Sequence, residues 1–188
     1  MKNIATLLLA CTCVSATGFV YAAGGTCAAP GTLSPTNAAG TASGNTCTDG
    51  TGGTATANQV ATYCAGQDLS SQPQEVYKVS LAAAGTAGRT ATSLTISSTT
   101  ASFSASMYLF PGTTSTDCAT GGPPCGNAGD KTAGIDLTTA DANVATAGTY
   151  YLVIGANQLE AHAATACGDY NLAWNNALPV KLQGFSVQ

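Results

Sequence analysis

The sequence predicts an all-β fold: an antiparallel β-sandwich of jelly-roll or Greek-key type, stabilised by disulfides. Three observations lead there. Short runs of alternating apolar residues are separated by Gly, Pro, Asn and Ser turns, and no long segment carries a helical apolar period. Aromatic and β-branched residues concentrate in those runs, as in TYYLVIGA (residues 149–156) and DYNLAW (residues 169–174), each preceded by glycine. Six cysteines lie beyond a hydrophobic leader, an even number that points to disulfides in an exported chain.

The leader comes first. Lys2 supplies a positive start, residues 4–14 are apolar, and Val20-Tyr21-Ala22 carries small residues where a signal peptidase reads, so cleavage is expected after Ala22. Leu8-Leu9-Ala10-Cys11 offers the rival reading of a lipid-accepting Cys11, with a much shorter apolar segment. Beyond the leader the longest apolar stretch, residues 150–156, is far below the roughly 18 residues that span a bilayer. The mature chain is therefore expected to avoid the membrane unless lipidated at Cys11.

Residues 23–58 are rich in Gly, Thr, Ala and Ser and hold no aromatic residue, so composition alone reads as a low-complexity arm. Cys27 and Cys47 inside it argue that it is pinned. Strand signals begin at Val60, opening a domain over residues 59–177. In EVYKVSL (75–81), Tyr77, Val79 and Leu81 share a face. Leu94 and Ile96 do so in SLTIS (93–97), and Phe103, Ala105, Met107 and Leu109 across residues 102–110, before Pro111-Gly112 breaks the run. Tyr150, Leu152 and Ile154 alternate next, then Tyr170, Leu172 and Trp174. The tail, residues 178–188, is expected to add a strand over 180–187. Pro179 sits at its start and Gly184 marks a place for a bulge. Docking in its own chain is the first reading, a sorting signal the second, donation to a neighbour the third.

Charge removes whole classes of function. Only 7% of the chain is charged, against about 25% in an average globular protein. Loss of Lys2 with the leader takes the net charge from −4 to −5. Lys78, Arg89, Lys131 and Lys181 are isolated and cannot neutralise a phosphate backbone, so no nucleic-acid partner is expected. Surface polarity must come from hydroxyl and amide side chains.

The cysteines Cys27, Cys47, Cys64, Cys118, Cys125 and Cys167 are all expected to be oxidised. Cys118 and Cys125 flank a turn-rich ATGGPP and are expected to close on each other, with Cys27–Cys47 second and Cys64–Cys167 remaining. Zinc would need a Cys-x-x-Cys pair or more than the single His162, and neither is present.

The order EVYKVSL, SLTIS, SASMYLFPGTTSTDC, AGTYYLVIGA and CGDYNLAW resembles the bacterial pre-peptidase C-terminal domain over roughly residues 60–174. LPVKLQGFSVQ resembles the LPVxLxxF ends of exported bacterial proteins. The resemblance implies a non-catalytic β-sandwich that assists secretion, localisation or substrate attachment, here without a peptidase on the same sequence. Some related domains hold calcium on acidic loops. Asp117, Asp130, Asp136 and Asp141 fall in the matching region but lack an Asp-x-Asp-x-Asp spacing, and solvated loop carboxylates are the favoured reading. No cofactor is expected.

Enzyme chemistry finds little support. His162, two residues from Glu160, lies in a small polar segment with no Gly-x-Ser-x-Gly elbow, and reads as a solvated loop histidine. No catalytic residue is assigned. Strand alternation turns Tyr151 away from Tyr150 and Tyr108 away from Met107, which makes Tyr108 and Tyr151 the candidate ligand-stacking aromatics; a place in the core, with polar tips at its rim, is the favoured reading. The expected function is a secreted, non-catalytic module binding an extracellular polymer or surface protein of unread identity. A self-assembling subunit using its C-terminal strand comes second and a secreted hydrolase third.

Overall fold

Small side chains and glycines pair with aromatic ones in this fold, and that pairing decides where its strands lie. The structure is a computed structural model. It describes residues 20–21, 24–33, 39–48, 60, 62–63, 67–69, 72–83, 86, 91–120, 127–130, 132–137, 146–156 and 166–176. Strands β1 (Val20–Tyr21), β3 (Gly40–Asn45), β12 (Asp169–Asn176), β7 (Ala91–Ser97) and β10 (Ile135–Asp136) form one five-stranded sheet in that spatial order, sheet A. Sheet B runs β2 (Gly31–Leu33), β6 (Glu75–Leu81), β11 (Gly148–Ala156), β8 (Ala105–Pro111) and β9 (Asn127–Asp130). A two-stranded piece, β4 (Thr62–Tyr63) with β5 (Gln67–Asp68), and one short helix, α1 (Ser115–Ala119), complete the described elements.

The all-β class stands, with two sheets, almost no helix and two disulfides. Pairing is antiparallel at the centre of each sheet, but β1 runs parallel to β3 and β2 parallel to β6. Both parallel pairs involve residues before Val60, where sequence alternation gave no strand. The reason is visible in the register. Tyr170 lies directly opposite Gly44 and Trp174 opposite Gly40. A Cβ on Gly44 would come within 2.5 Å of the Tyr170 hydroxyl oxygen and of the Glu75 carboxylate. The glycines leave room for neighbouring rings, and those rings cover the backbone that glycine leaves bare.

One core lies between the sheets. Tyr77, Val79, Met107, Leu109, Leu152 and Ile154 of sheet B meet Ala42, Leu94, Ile96, Tyr170, Leu172 and Trp174 of sheet A. Sheet B is also covered on its other face, where Val76, Tyr108, Phe110, Tyr151 and Val153 pack with Cys27, Val60, Leu69 and Cys118. Strands buried on two faces read as near-continuous apolar runs, and MYLF in β8 and YYLVI in β11 are such runs.

The disulfide pairing differs from the expectation. Cys27 joins Cys118 and Cys47 joins Cys167, with Cα–Cα distances of 5.6 and 5.0 Å. Cys118–Cys125, Cys27–Cys47 and Cys64–Cys167 are therefore not the pairs. The β3–β12 ladder sets Asp169 opposite Asn45, and stepping two residues outward brings Cys47 opposite Cys167. Cys118, buried on α1, meets Cys27 in the second core. Cys64 and Cys125 lie outside the described residues. No helix among the described residues is long and apolar enough to cross a membrane.

Candidate functional site

Sheet A has one buried face and one that meets water. On β3, Thr41 and Ser43 are exposed; on β12, Asn171 and Asn175; on β7, Thr95 and Ser97. Alternation produces this directly, since Ala42, Leu94, Ile96, Leu172 and Trp174 take the intervening positions in the core. Register aligns the outward residues across three strands. Asn171 is flanked by Ser43 and Ser97, and Ala173 by Thr41 and Thr95. The next position is closed by Asn175, whose Oδ1 accepts the Ser93 amide at 3.1 Å and the Ser93 hydroxyl at 3.0 Å. The result is a grid of hydroxyl and amide groups about 4.8 Å apart across strands and about 6.8 Å along them.

At the rim of this grid, Asp169 is committed to its neighbours. It accepts the Thr100 hydroxyl, the Thr99 amide at 3.1 Å and the Thr99 hydroxyl at 2.8 Å. These bonds, that of Thr100 foremost, hold its carboxyl well below the usual carboxylate range. The grid can donate and accept many neutral hydrogen bonds. It carries no aromatic stacking surface.

The two tyrosines singled out as stacking residues are elsewhere. Tyr108 is 4% exposed and Tyr151 2%, both in the second core of sheet B. Burial pushes the Tyr151 hydroxyl up, with nearby Asp117 adding to the effect. Alternation does turn them away from Met107 and Tyr150, but the face they turn to is covered. They are core residues and form no exposed platform.

Of the carboxylates weighed for calcium, Asp117 accepts the Thr113 and Thr114 amides at 2.8 and 2.9 Å and forms a capping box on α1. Those bonds lower its pKa, the Thr113 amide contributing most. Asp130 accepts the Thr132 and Ala133 amides at 2.7 and 2.9 Å in a tight turn. The side chain of Asp136, and Asp141 as a whole, lie outside the described residues, as do His162 and Glu160. Among the described residues no group of three or more His, Cys, Asp or Glu side chains could hold a metal ion.

A polar cluster that sequence reasoning missed centres on Glu75, 2% exposed at the start of β6. Its carboxylate accepts the Gly24 amide at 2.8 Å, the Asn45 amide at 3.2 Å and the Tyr170 hydroxyl. Tyr170 commits its hydrogen to Glu75, so Tyr77 donates to the Tyr170 oxygen at 2.7 Å. Burial is the main cause that raises both tyrosine hydroxyls well above their ordinary value, so both stay protonated. Glu75 thereby ties residue 24, β3, β6 and β12 together. An acidic residue opening an alternating strand gives no sequence sign of that role.

Comparison with protein-family models, with curated proteins and with solved structures returns no match.

Proposed function

We propose that this chain is an exported, non-catalytic β-sandwich module that holds a neutral extracellular polymer, a polysaccharide by chemistry, on the outer face of sheet A. The single observation behind this is the grid of Thr41, Ser43, Thr95, Ser97, Asn171 and Asn175, exposed and uncharged across the three central strands. One neutral hydrogen bond contributes about 0.5–1.5 kcal/mol net, so a single contact is weak. A repeating chain engages many contacts at once and gains avidity.

Export is supported by the leader features of residues 1–22, and the two disulfides are consistent with an oxidising, extracellular environment. The shared core between sheets A and B is what a jelly-roll-type sandwich requires. Kinship with the pre-peptidase C-terminal domain is part of the proposal. The strands β6, β7, β8, β11 and β12 fall on the segments that carry the resemblance, which supports it.

The test is co-sedimentation of the mature protein with insoluble cellulose, chitin and β-1,3-glucan at low and high salt. Retention on at least one neutral polymer, unchanged between about 50 and 500 mM salt, is expected because no counterions are released. Retention that collapses with salt, or none on any of the three, contradicts the proposal.

A further inference from the structure

We propose that leader removal opens the outer edge of β3, and that this edge pairs antiparallel with the same edge of a second copy, joining the two copies of sheet A into one sheet. The inference rests on the reading that residues 1–22 are cleaved and is independent of polymer binding.

In the full chain, β3 is held between two strands. β12 pairs with one side, and β1 pairs in parallel with the other, Val20 opposite Thr41 and Tyr21 opposite Ala42. Both residues of β1 belong to the expected leader, so cleavage after Ala22 takes them away. The residues that follow serve the other sheet. Gly24 donates its amide to Glu75, and Gly25 exchanges backbone bonds with Val76 of β6 at 2.9 and 2.8 Å. No other described strand lies beside β3 on that side.

Hydrogen-bond direction shows what the opened edge offers. Thr46, just past β3, donates its amide to the Gly168 carbonyl on the β12 side at 2.9 Å. Backbone groups alternate sides along a strand, so Gly40, Ala42 and Gly44 also bond toward β12, and Thr41, Ser43 and Asn45 point the other way. Asn45 agrees with this phase, because its amide goes to Glu75 at 3.2 Å, outside the β3–β12 ladder. Thr41 and Ser43 are thus the residues whose N–H and C=O groups face the opened lane. β3 reads GTASGN and carries no Lys, no Pro and no charge, the devices that keep bare edges from pairing with other chains.

A second copy is the occupant this edge fits. A two-fold axis at Ala42 sets Thr41 against the partner's Ser43 and Ser43 against the partner's Thr41, so every open N–H and C=O on one copy meets its complement on the other. A register shifted toward Asn45 loses that match, because the Asn45 amide is already committed to Glu75. The axis stands perpendicular to the sheet. Ala42 therefore stays on the core side in both copies, and Thr41 and Ser43 on the exposed side. No charge on β3 opposes the approach. The hydroxyl and amide face of sheet A then runs unbroken from one copy into the next. Contact along one short edge makes a weak, reversible dimer. The expected tail strand over residues 180–187 lies outside the described residues, and the pairing uses β3 alone.

The experiment is sedimentation equilibrium of the mature protein beginning at residue 23. The expected result is a monomer–dimer equilibrium with Kd between about 1 μM and 1 mM. Thr41→Lys/Ser43→Lys sets like charges opposite each other across the axis, with Cα atoms about 5.5 Å apart, at positions exposed in the monomer. It should weaken the dimer about tenfold at low salt, and so should Thr41→Glu/Ser43→Glu. Mixing the two variants should restore association as heterodimers, because Lys then faces Glu. Should either variant fail to fold, Ser43→Pro gives the same comparison, because it removes one N–H from the open lane and none from the β12 ladder. A wild-type protein that stays monomeric up to about 1 mM overturns the proposal. So does a dimer that no variant weakens, or a mixture of opposite charges that does not associate. Intact mass of the exported protein is read first: a product that retains Val20 and Tyr21 overturns the premise, separately from the pairing of the edges.

Discussion

Replacing Glu75 by Ala removes the acceptor for the Gly24 amide, the Asn45 amide and the Tyr170 hydroxyl together. Each buried donor left without a partner costs about 1–3 kcal/mol. Removing the buried carboxylate returns part of that, because its own desolvation no longer opposes folding. The net loss expected is about 3–5 kcal/mol, comparable with breaking a buried ion pair. Glu75→Gln is expected to cost about 1–3 kcal/mol. Its amide oxygen still accepts, but its NH2 group faces donors. For a chain of this size one kcal/mol corresponds to about 2–4 °C, so Glu75→Ala should lower the melting temperature by roughly 6–20 °C. Urea denaturation of the oxidised mature protein measures the free energy directly, and deuterium exchange around Gly24 and Asn45 should accelerate in step. A Glu75→Ala variant within about 0.5 kcal/mol of wild type would show that Glu75 does not hold these elements together.

Further outcomes follow from the same contacts. Non-reducing peptide mapping should recover Cys27–Cys118 and Cys47–Cys167, and a Cys64–Cys125 peptide as the remaining pair. The Cys47→Ser/Cys167→Ser variant, which opens a closure of sequence separation 120, should lose about 4 kcal/mol. Gly44→Val should destabilise by several kcal/mol, about 3 at least, because its side chain would overlap Tyr170 and Glu75. Asp169 has a folded pKa depressed below its unfolded value near 4. Its contribution is therefore full above about pH 4 and is lost as pH falls through the folded value. Melting temperature followed from pH 7 down to 2 should fall less steeply below pH 4 in Asp169→Asn than in wild type.

The central strands were legible because their residues alternate. EVYKVSL, SLTIS and the runs at Tyr150 and Tyr170 all became strands, with the predicted residues in the core. β3 was not legible, because GTASGN has no apolar face of its own. It becomes a strand by lying against Tyr170 and Trp174 of β12. Tyr108 and Tyr151 take the favoured core reading rather than the stacking one. Alternation sets which face a side chain takes, but not whether another segment covers that face. MYLF and YYLVI held the clue, since an apolar run without interruption marks a strand covered on both sides. Disulfide pairing followed ladder register and segment packing, and proximity along the sequence carried neither. The outer face of sheet A was written in Thr95, Ser97 and Asn171, yet hydroxyl-rich strands do not say which residues stand side by side until their register is known.

The most direct test of the proposed function is the binding isotherm of a face variant on whichever neutral polymer retains wild type. Thr95→Lys/Asn171→Lys places two charges on the outer face of sheet A, whereas Ser80→Lys places one at the single exposed position of β6 in sheet B. The sheet A variant should keep the wild-type melting temperature and lose at least tenfold in affinity, while Ser80→Lys binds as wild type. Undiminished binding by Thr95→Lys/Asn171→Lys, or an equal loss in Ser80→Lys, would contradict the proposed function.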